Sequence, residues 1–375
     1  SYGLMIHSGG TRRFQAGVQY VVYNLLGSTL FLFALGTLYS VTGTLNMADL
    51  ALRVAEIPAE DTALLRVGAV MLLLVFAIKA AVIPLHFWLP ASYANAPLPI
   101  AALFAIMTKV GAYAILRMYT LVFGPDLALT EGLAGAWLMP AALITLMIGA
   151  IGVLGSYRMG RLVAFGAITS MGTLLTSIAL FTPEGVTAAL YYTVHSTLAA
   201  AFLFLVADLV TERQGIEITA QPVMPQSGLI AVLFFTGAIA LAGMPPISGF
   251  LGKLLVLDAA RDHDLVWWIW GTILIGSLVT ILGMARAGSL LFWKSHSITE
   301  TEVDPAEDHD SDAHDETAPT EHAAALPFVA CFALLTGLVA LTIFAGPASH
   351  YAEATAAQLF APEAYIRAVL GEVTP

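Results

Sequence analysis

The stretch LLLVFAIKAAVIPL (residues 72–85) buries one lysine, Lys79, in a run apolar enough to cross a lipid bilayer, and closes it with Pro84. The pattern recurs around Lys109 in LFAIMTKVGAYAIL (103–116) and around Lys253 in ISGFLGKLLVL (247–257). These are three of the chain's four lysines. A lysine at mid-membrane depth costs roughly 2.5–3.5 kcal/mol on insertion scales, so such a residue marks an ion or proton pathway unless it snorkels to the interface. Burial disfavours a charged amine, which suits a group that must release and regain a proton. The three lysines therefore predict a membrane protein that moves protons or a cation past buried amines.

Composition points the same way. The chain is 58% hydrophobic and 11% charged, with a mean hydropathy of +0.83. A soluble chain of 375 residues has no core large enough to hide that much apolar surface, so the fold class is an all-α, polytopic membrane helix bundle. Six tryptophans and 12 tyrosines suit the bilayer interface. The single cysteine, Cys331, excludes an internal disulfide framework and a cysteine metal cluster. The net charge of −11 belongs almost wholly to one segment, since His296 to His322 holds 10 acids and no Lys or Arg. The acidity thus says little about partners, and nothing in the chain points to nucleic acid.

Apolar stretches of spanning length lie near 19–41, 64–88, 98–122, 134–155, 160–181, 187–210, 228–259, 266–292 and 324–346. The opening SYGLMIHSGG reads as the tail of a further span whose start is missing. Two of the stretches must be interrupted. GMPPISGFLGK (243–253) carries Pro245 and Pro246 among three glycines, and AVIPLHFWLP (81–90) carries Pro84. Breaks at membrane depth persist only where neighbouring protein or an aqueous cavity satisfies the freed backbone groups, and paired breaks point to a transport site. QYVVYNLLGSTLFLFALGTLY (19–39) overlays LYYTVHSTLAAAFLFLVADLV (190–210) without gaps, setting Asn24 on His195, and an interrupted lysine-bearing segment follows each copy. This suggests an internal repeat.

If every span crosses once, Arg12, Arg13, Arg158, Arg161, Arg213 and Lys294 share one side, against Arg53, Arg66 and Arg261 on the other. The positive-inside rule makes the first side cytoplasmic, together with the acidic segment.

Candidate chemistry follows from the buried nitrogens. Lys79 and His86 are two helical turns apart, so an unbroken helix would align them, although Pro84 between them loosens that geometry. An amine, a broken turn and an imidazole together suit a proton-relay element, with a snorkelling lysine as the alternative. Lys109 has about ten apolar residues on either side, whereas Arg117 two turns on reaches the interface. His195, amid YYTVHSTLAAAFLF, reads either as a core histidine or as a relay member, with Thr193, Ser196 and Thr197 beside it. Lys253 follows its break directly and can meet unwound carbonyls and water, or else serve as an interface lysine on a short half-helix. No acid lies near the centre of a complete span, Asp208 and Asp258 being close to segment ends. A dehydrated Na⁺ wants hard oxygen ligands, so amines and imidazoles suit protons better. The segment TETEVDPAEDHDSDAHDETAPTEH, with His296, His309, His314 and His322 in or beside it, reads as a disordered, solvated loop, or as a weak collector of divalent metal.

Taken together, AIKAAVIPLHFWLP, TKVGAYAILR, VHSTLAAAFLFLVADL and GMPPISGFLGKLL resemble the antiporter-like subunits shared by complex I and the Mrp/Pha-type cation/proton antiporters, over nearly the whole chain. With LYSVTGTLNMADLA (38–51), they look most like the D-type subunits of the multisubunit Mrp/Pha antiporters. The resemblance implies about fourteen helices, two inverted five-helix repeats and a polar axis across the bundle. The repeats would be the remainder of the first (1–122) and the second (123–292), followed by the acidic His-rich loop (293–323) and a C-terminal transmembrane helix and tail (324–375). It would make Lys79 the lysine of the first broken helix, Lys109 the connecting lysine, His195 the relay histidine and Lys253 the lysine of the second broken helix. His86, Pro84, Pro245 and Pro246 would support them. Two departures stand out. The family's glutamate partner of the first lysine would precede Ser1, and Ala200 stands where many relatives carry a lysine five residues after the relay histidine.

The expected function is proton translocation in a Na⁺ or K⁺/proton antiporter complex of the bacterial cytoplasmic membrane, with other membrane subunits as partners and no cofactor or bound metal. A proton-pumping subunit of an NADH–quinone oxidoreductase is the alternative, though this chain shows no flavin, iron–sulfur or nicotinamide signature. A metal-binding sensor or transporter using the His-rich loop is a third reading.

Overall fold

The computed structural model describes residues 2–7, 9–58, 62–124, 127, 133–297 and 325–371. In chain order its α-helices are α1 (Tyr2–Met5), α2 (Thr11–Thr42), α3 (Met47–Glu56), α4 (Thr62–Lys79), α5 (Trp88–Asn95), α6 (Leu98–Phe104), α7 (Met107–Leu121), α8 (Leu133–Leu154), α9 (Met159–Ile178), α10 (Pro183–Gln214), α11 (Ser227–Ala242), α12 (Ser248–Ala259), α13 (Val266–Gly288), α14 (Ala325–Ile343), α15 (Ala345–Phe360) and α16 (Glu363–Leu370). Among the described residues, eight segments are long and apolar enough to span a membrane, and α11 with α12 forms a ninth, broken one. All nine expected spans are present. The acidic His-rich loop lies outside the described residues from position 298 on.

Local chemistry sets the helix limits. The Asn46 side chain accepts from the Ala48 and Asp49 amides and starts α3. Thr182 does the same for the Gly185 amide at α10, where Pro183 fills the first turn. Gly43 ends α2 and Gly243 ends α11, each in the left-handed region with φ near +71° and +75°. α9 is the central helix: 89% of its spanning window is buried, against 11% for α14 at the periphery.

Both predicted breaks exist, and neighbouring groups satisfy the backbone they free. α4 stops at Lys79, the Ile83–Pro84 peptide is cis, and helix resumes at Trp88. The Ile83 amide donates to Thr145 Oγ1 on α8 (3.1 Å), and the Trp88 indole donates to the Ile78 carbonyl (2.9 Å). α11 stops at Ala242, Pro245–Pro246 is cis, and α12 starts at Ser248.

Two features depart from the sequence expectation. The span at 98–121 is not one straight helix but α6 and α7 separated by a turn at Ala105–Ile106, two residues short of the Thr108–Lys109 pair. No Pro or Gly marks it. The C-terminal part is not a simple tail either. Pro347 has no N–H for the Ile343 carbonyl, so α14 ends there and α15 restarts after Phe344. α15 continues along α10, and α16 folds back on α3, where Tyr365 lies under the Arg117 guanidinium (4.4 Å).

The ends of the bundle differ in charge. The Arg13 Nε donates to the Asn95 carbonyl, and Arg286 donates to the Ser156 carbonyl and stacks on Tyr157. One cleft there is lined by Arg12, Arg13, Arg158, Asp208 and Thr211. The start of α2, the α5–α6 junction, the α8–α9 turn and the end of α10 thus share one end, and Arg213 lies there too. α2 begins where α10 finishes, so the two overlaid helices run in opposite directions, as inverted repeats require. Exposed aromatics ring both ends, with Trp137, Trp267 and Trp268 at one and Tyr157 and Trp293 at the other.

Candidate proton-relay site

Lys79 occupies the last turn of α4, where its helix gives out. It is half-buried and its Nζ donates to Asn24 Oδ1 on α2. The Asn24 amide in turn donates to the Tyr20 carbonyl one turn back (2.7 Å), which fixes the side chain's orientation. Lys79 also lines a cavity of about 300 Å³ with Ser28, Phe31, Met107 and Gly111. Gly111 permits this approach: a Cβ there would lie 2.6 Å from the Ala80 amide nitrogen and 2.9 Å from the Phe76 carbonyl oxygen. The backbone of α7 therefore lies directly against the broken end of α4.

Lys109 follows the α6–α7 turn and is 3% exposed. Its Nζ meets no hydrogen-bond acceptor among the described residues, and neither does the hydroxyl of Thr108 beside it. An unpartnered ammonium at this depth is expensive, and either loss of its proton or water entering between the helices relieves it.

His195 is buried in the middle of α10, with Nδ1 2.9 Å from Ser248 Oγ at the first residue of α12. Gly249 is what lets α12 come so close. A Cβ there would sit 2.2 Å from the Ala240 carbonyl oxygen and 2.7 Å from His195 Nε2. One turn before the imidazole, the Tyr192 ring packs against it at 5.7 Å, with Ser170 and Thr173 of α9 beside its hydroxyl.

Lys253 is 6% exposed and has two acceptors. Its Nζ donates to the Ala242 carbonyl (2.8 Å), released by the end of α11, and to Ser277 Oγ on α13 (2.7 Å). A broken helix has thus supplied the oxygen that holds a buried lysine.

Lys109, His195 and Lys253 are thus all buried in the interior of the bundle, and α12 packs along α10 to bring the last two onto neighbouring helices. His86 is placed elsewhere. The helix ends seven residues before it, and its buried ring packs on Phe87 (4.3 Å), with Nδ1 unpartnered among the described residues. It lines a cleft of about 470 Å³ with Arg158 and Arg161, sharing no lining residue with the Lys79 cavity. Pro84, Pro245 and Pro246 sit at the two breaks. Thr193, Ser196 and Thr197 bond within α10: the Thr193 hydroxyl donates to Ala189, the other two to Thr193.

Four polar partners escaped the sequence reading: Asn24, Ser248, Ser277 and Tyr192. Only Asn24 carried a signal, through its overlay on His195. Among the described residues there is no cluster of three or more His, Cys, Asp or Glu that would hold a metal ion.

Comparisons with known proteins agree with this architecture. A family described as NADH:quinone oxidoreductase/Mrp antiporter, transmembrane, matches residues 1–280. The chain belongs to that family and is a multi-pass membrane protein. It is 34% identical to a probable K⁺/H⁺ antiporter subunit, of the D type, from Rhizobium meliloti (strain 1021), over 99% of this chain and 71% of the relative. It is 36% identical to the D-type Na⁺/H⁺ antiporter subunit of Bacillus subtilis (strain 168), with the same coverage. Among solved structures, a chain of the Mrp complex from Dietzia sp. DQ12-45-1b superposes with a TM-score of 0.82 at 28% identity, covering 99% of this chain and 73% of that one.

Proposed function

We propose that this chain is a proton-translocating membrane subunit of a monovalent cation/proton antiporter complex. Lys79, Lys109, His195 and Lys253 relay protons through internal water, and the exchanged cation is Na⁺ or K⁺. The observation that carries the reading is Lys253, a buried lysine held by a carbonyl freed at a helix break. The relatives named as subunits of Na⁺/H⁺ and K⁺/H⁺ antiporters support it. Other membrane subunits complete the assembly. The arginine-rich end faces the cytoplasm of a bacterial cell, by the positive-inside rule. The helix groups 1–122 and 123–292 act as the two halves of the relay.

The test is proton-coupled exchange, followed by fluorescence quenching in everted vesicles. Lys79→Ala and Lys253→Ala are each expected to abolish it while leaving assembly intact; wild-type exchange in both would refute the relay. Lys253→Arg separates proton exchange from mere charge. An arginine cannot be deprotonated in a protein, so this variant keeps the charge and is expected to be inactive too.

A second reading, a proton-pumping subunit of a quinone-reducing complex, rests on the family, whose description covers both kinds of complex. Exchange that runs on an imposed cation gradient without any quinone supports the antiporter. Exchange that requires quinone reduction supports the alternative.

A further inference from the structure

The arginine-rich end holds a second built feature that the relay does not use. Two clefts meet there, of about 760 and 470 Å³, and share Ala94, Asn95 and Arg158. The larger is lined by Arg12, Arg13 and Arg158, the smaller by Arg158 and Arg161. Asp208 is the one carboxylate among their described lining residues.

These guanidiniums are short of anions. Arg13 is taken up by the carbonyls of His7 and Asn95. Arg12, Arg158 and Arg161 form no ion pair with any described residue, whereas Arg213 at the same end has Glu212 and Gln226. Among the described residues, the Nε of Arg158 is buried without a hydrogen-bond partner, as is the Thr211 hydroxyl oxygen in the same cleft. Burial first, then repulsion from Arg12 and Arg161, pull the Arg158 pKa below its ordinary value, and Glu217 across the α8–α9 turn offsets only part of this. The N-terminal turns of α2 and α9 open into the larger cleft at Thr11 and Gly160, adding amide N–H groups and the positive ends of two long helix dipoles.

We propose that this double cleft binds a phosphate-bearing anion, held by Arg12, Arg158 and Arg161 with the first turns of α2 and α9. Guanidinium forks match phosphate oxygens two at a time, and basic pockets between helices at the cytoplasmic interface suit the headgroups of anionic phospholipids. The site does not depend on the relay, because Lys79, Lys109, His195 and Lys253 line neither cleft; His86 lines the smaller one.

The experiment uses the protein extracted from native membranes in mild detergent. Its thermal midpoint is followed as phosphatidylglycerol, phosphatidylcholine or inorganic phosphate is added, and retained lipid is read by native mass spectrometry. Phosphatidylglycerol is expected to raise the midpoint of the wild type and phosphatidylcholine is not. The double variant Arg12→Gln/Arg158→Gln should need at least roughly tenfold more phosphatidylglycerol for the same shift. Arg53→Gln, at the other end, should respond like the wild type. Should the double variant fail to accumulate, Arg161→Gln on the exposed rim gives the same reading with a smaller loss. Protection by phosphatidylglycerol alone assigns the site to a lipid headgroup. Equal protection by inorganic phosphate, lost in the variants, assigns it to a soluble phosphate. Equal responses to phosphatidylglycerol in wild type and variants, or equal protection by phosphatidylcholine, overturn the site.

Discussion

Asn24 and Ser277 turn buried ammonium groups from liabilities into fixed parts of the bundle. Each lies on a different helix from the lysine it serves, 55 and 24 residues away in the chain, so no local pattern announces it. Hydrogen bonds to charged groups contribute about 1.5–3 kcal/mol, and removing one partner leaves the other stranded. Asn24→Leu is therefore expected to destabilise the detergent-solubilised protein by about that amount and to slow proton-coupled exchange. Asn24→Asp supplies an anionic acceptor and should keep the stability. A calorimetric comparison of the two variants checks this, and equal stability would remove Asn24 from the account. Gly249 makes the same point through space. With a Cβ 2.2 Å from a backbone oxygen and 2.7 Å from the imidazole, Gly249→Ala must displace α12. Overpacking of this kind typically costs about 1–3 kcal/mol. Transport by this variant should fall more than that of Gly228→Ala, where a Cβ meets nothing within 4 Å.

At the scale of elements, the two broken helices are alike in cause and different in use. Proline removes an amide donor in both, but the lysine lies before the break in the first and after it in the second. Lys253 can therefore reach back to the carbonyl of Ala242, while Lys79 turns to another helix for its acceptor. The first break depends on α8, because Thr145 Oγ1 accepts the Ile83 amide. Thr145→Val keeps the shape and removes that acceptor, so it should cost about 1–3 kcal/mol. Amide hydrogen exchange should then speed up at 80–87 and stay unchanged at the 243–247 break. Both breaks were legible in the sequence because Pro and Gly are visible letters. The turn between α6 and α7 was not, since Ala105 and Ile106 are ordinary helix residues and the Phe104 carbonyl before them is taken up by the Tyr93 hydroxyl of α5 (2.7 Å), a partner remote from the turn itself.

For the whole molecule, the consequence is a bundle with two unlike ends and four titratable nitrogens, one half-buried and three buried, between them. Its orientation is testable because the one native cysteine, Cys331, is buried. With a membrane-impermeant maleimide, Glu217→Cys should be labelled in everted vesicles and Asp262→Cys should not; the opposite pattern would invert the assignment. Spans, breaks and the identity of the buried lysines were determined by the sequence alone, because apolar length and the missing amide of proline act locally and need no partner. The tertiary structure alone decided what each nitrogen touches. It gave Lys79 to Asn24, Lys253 to Ala242 and Ser277, left Lys109 without an acceptor among the described residues, and turned His86 toward the arginine clefts. Hydrogen bonds at that depth are set by which helices lie side by side, and helix adjacency is a property of the packed bundle rather than of any one stretch of chain.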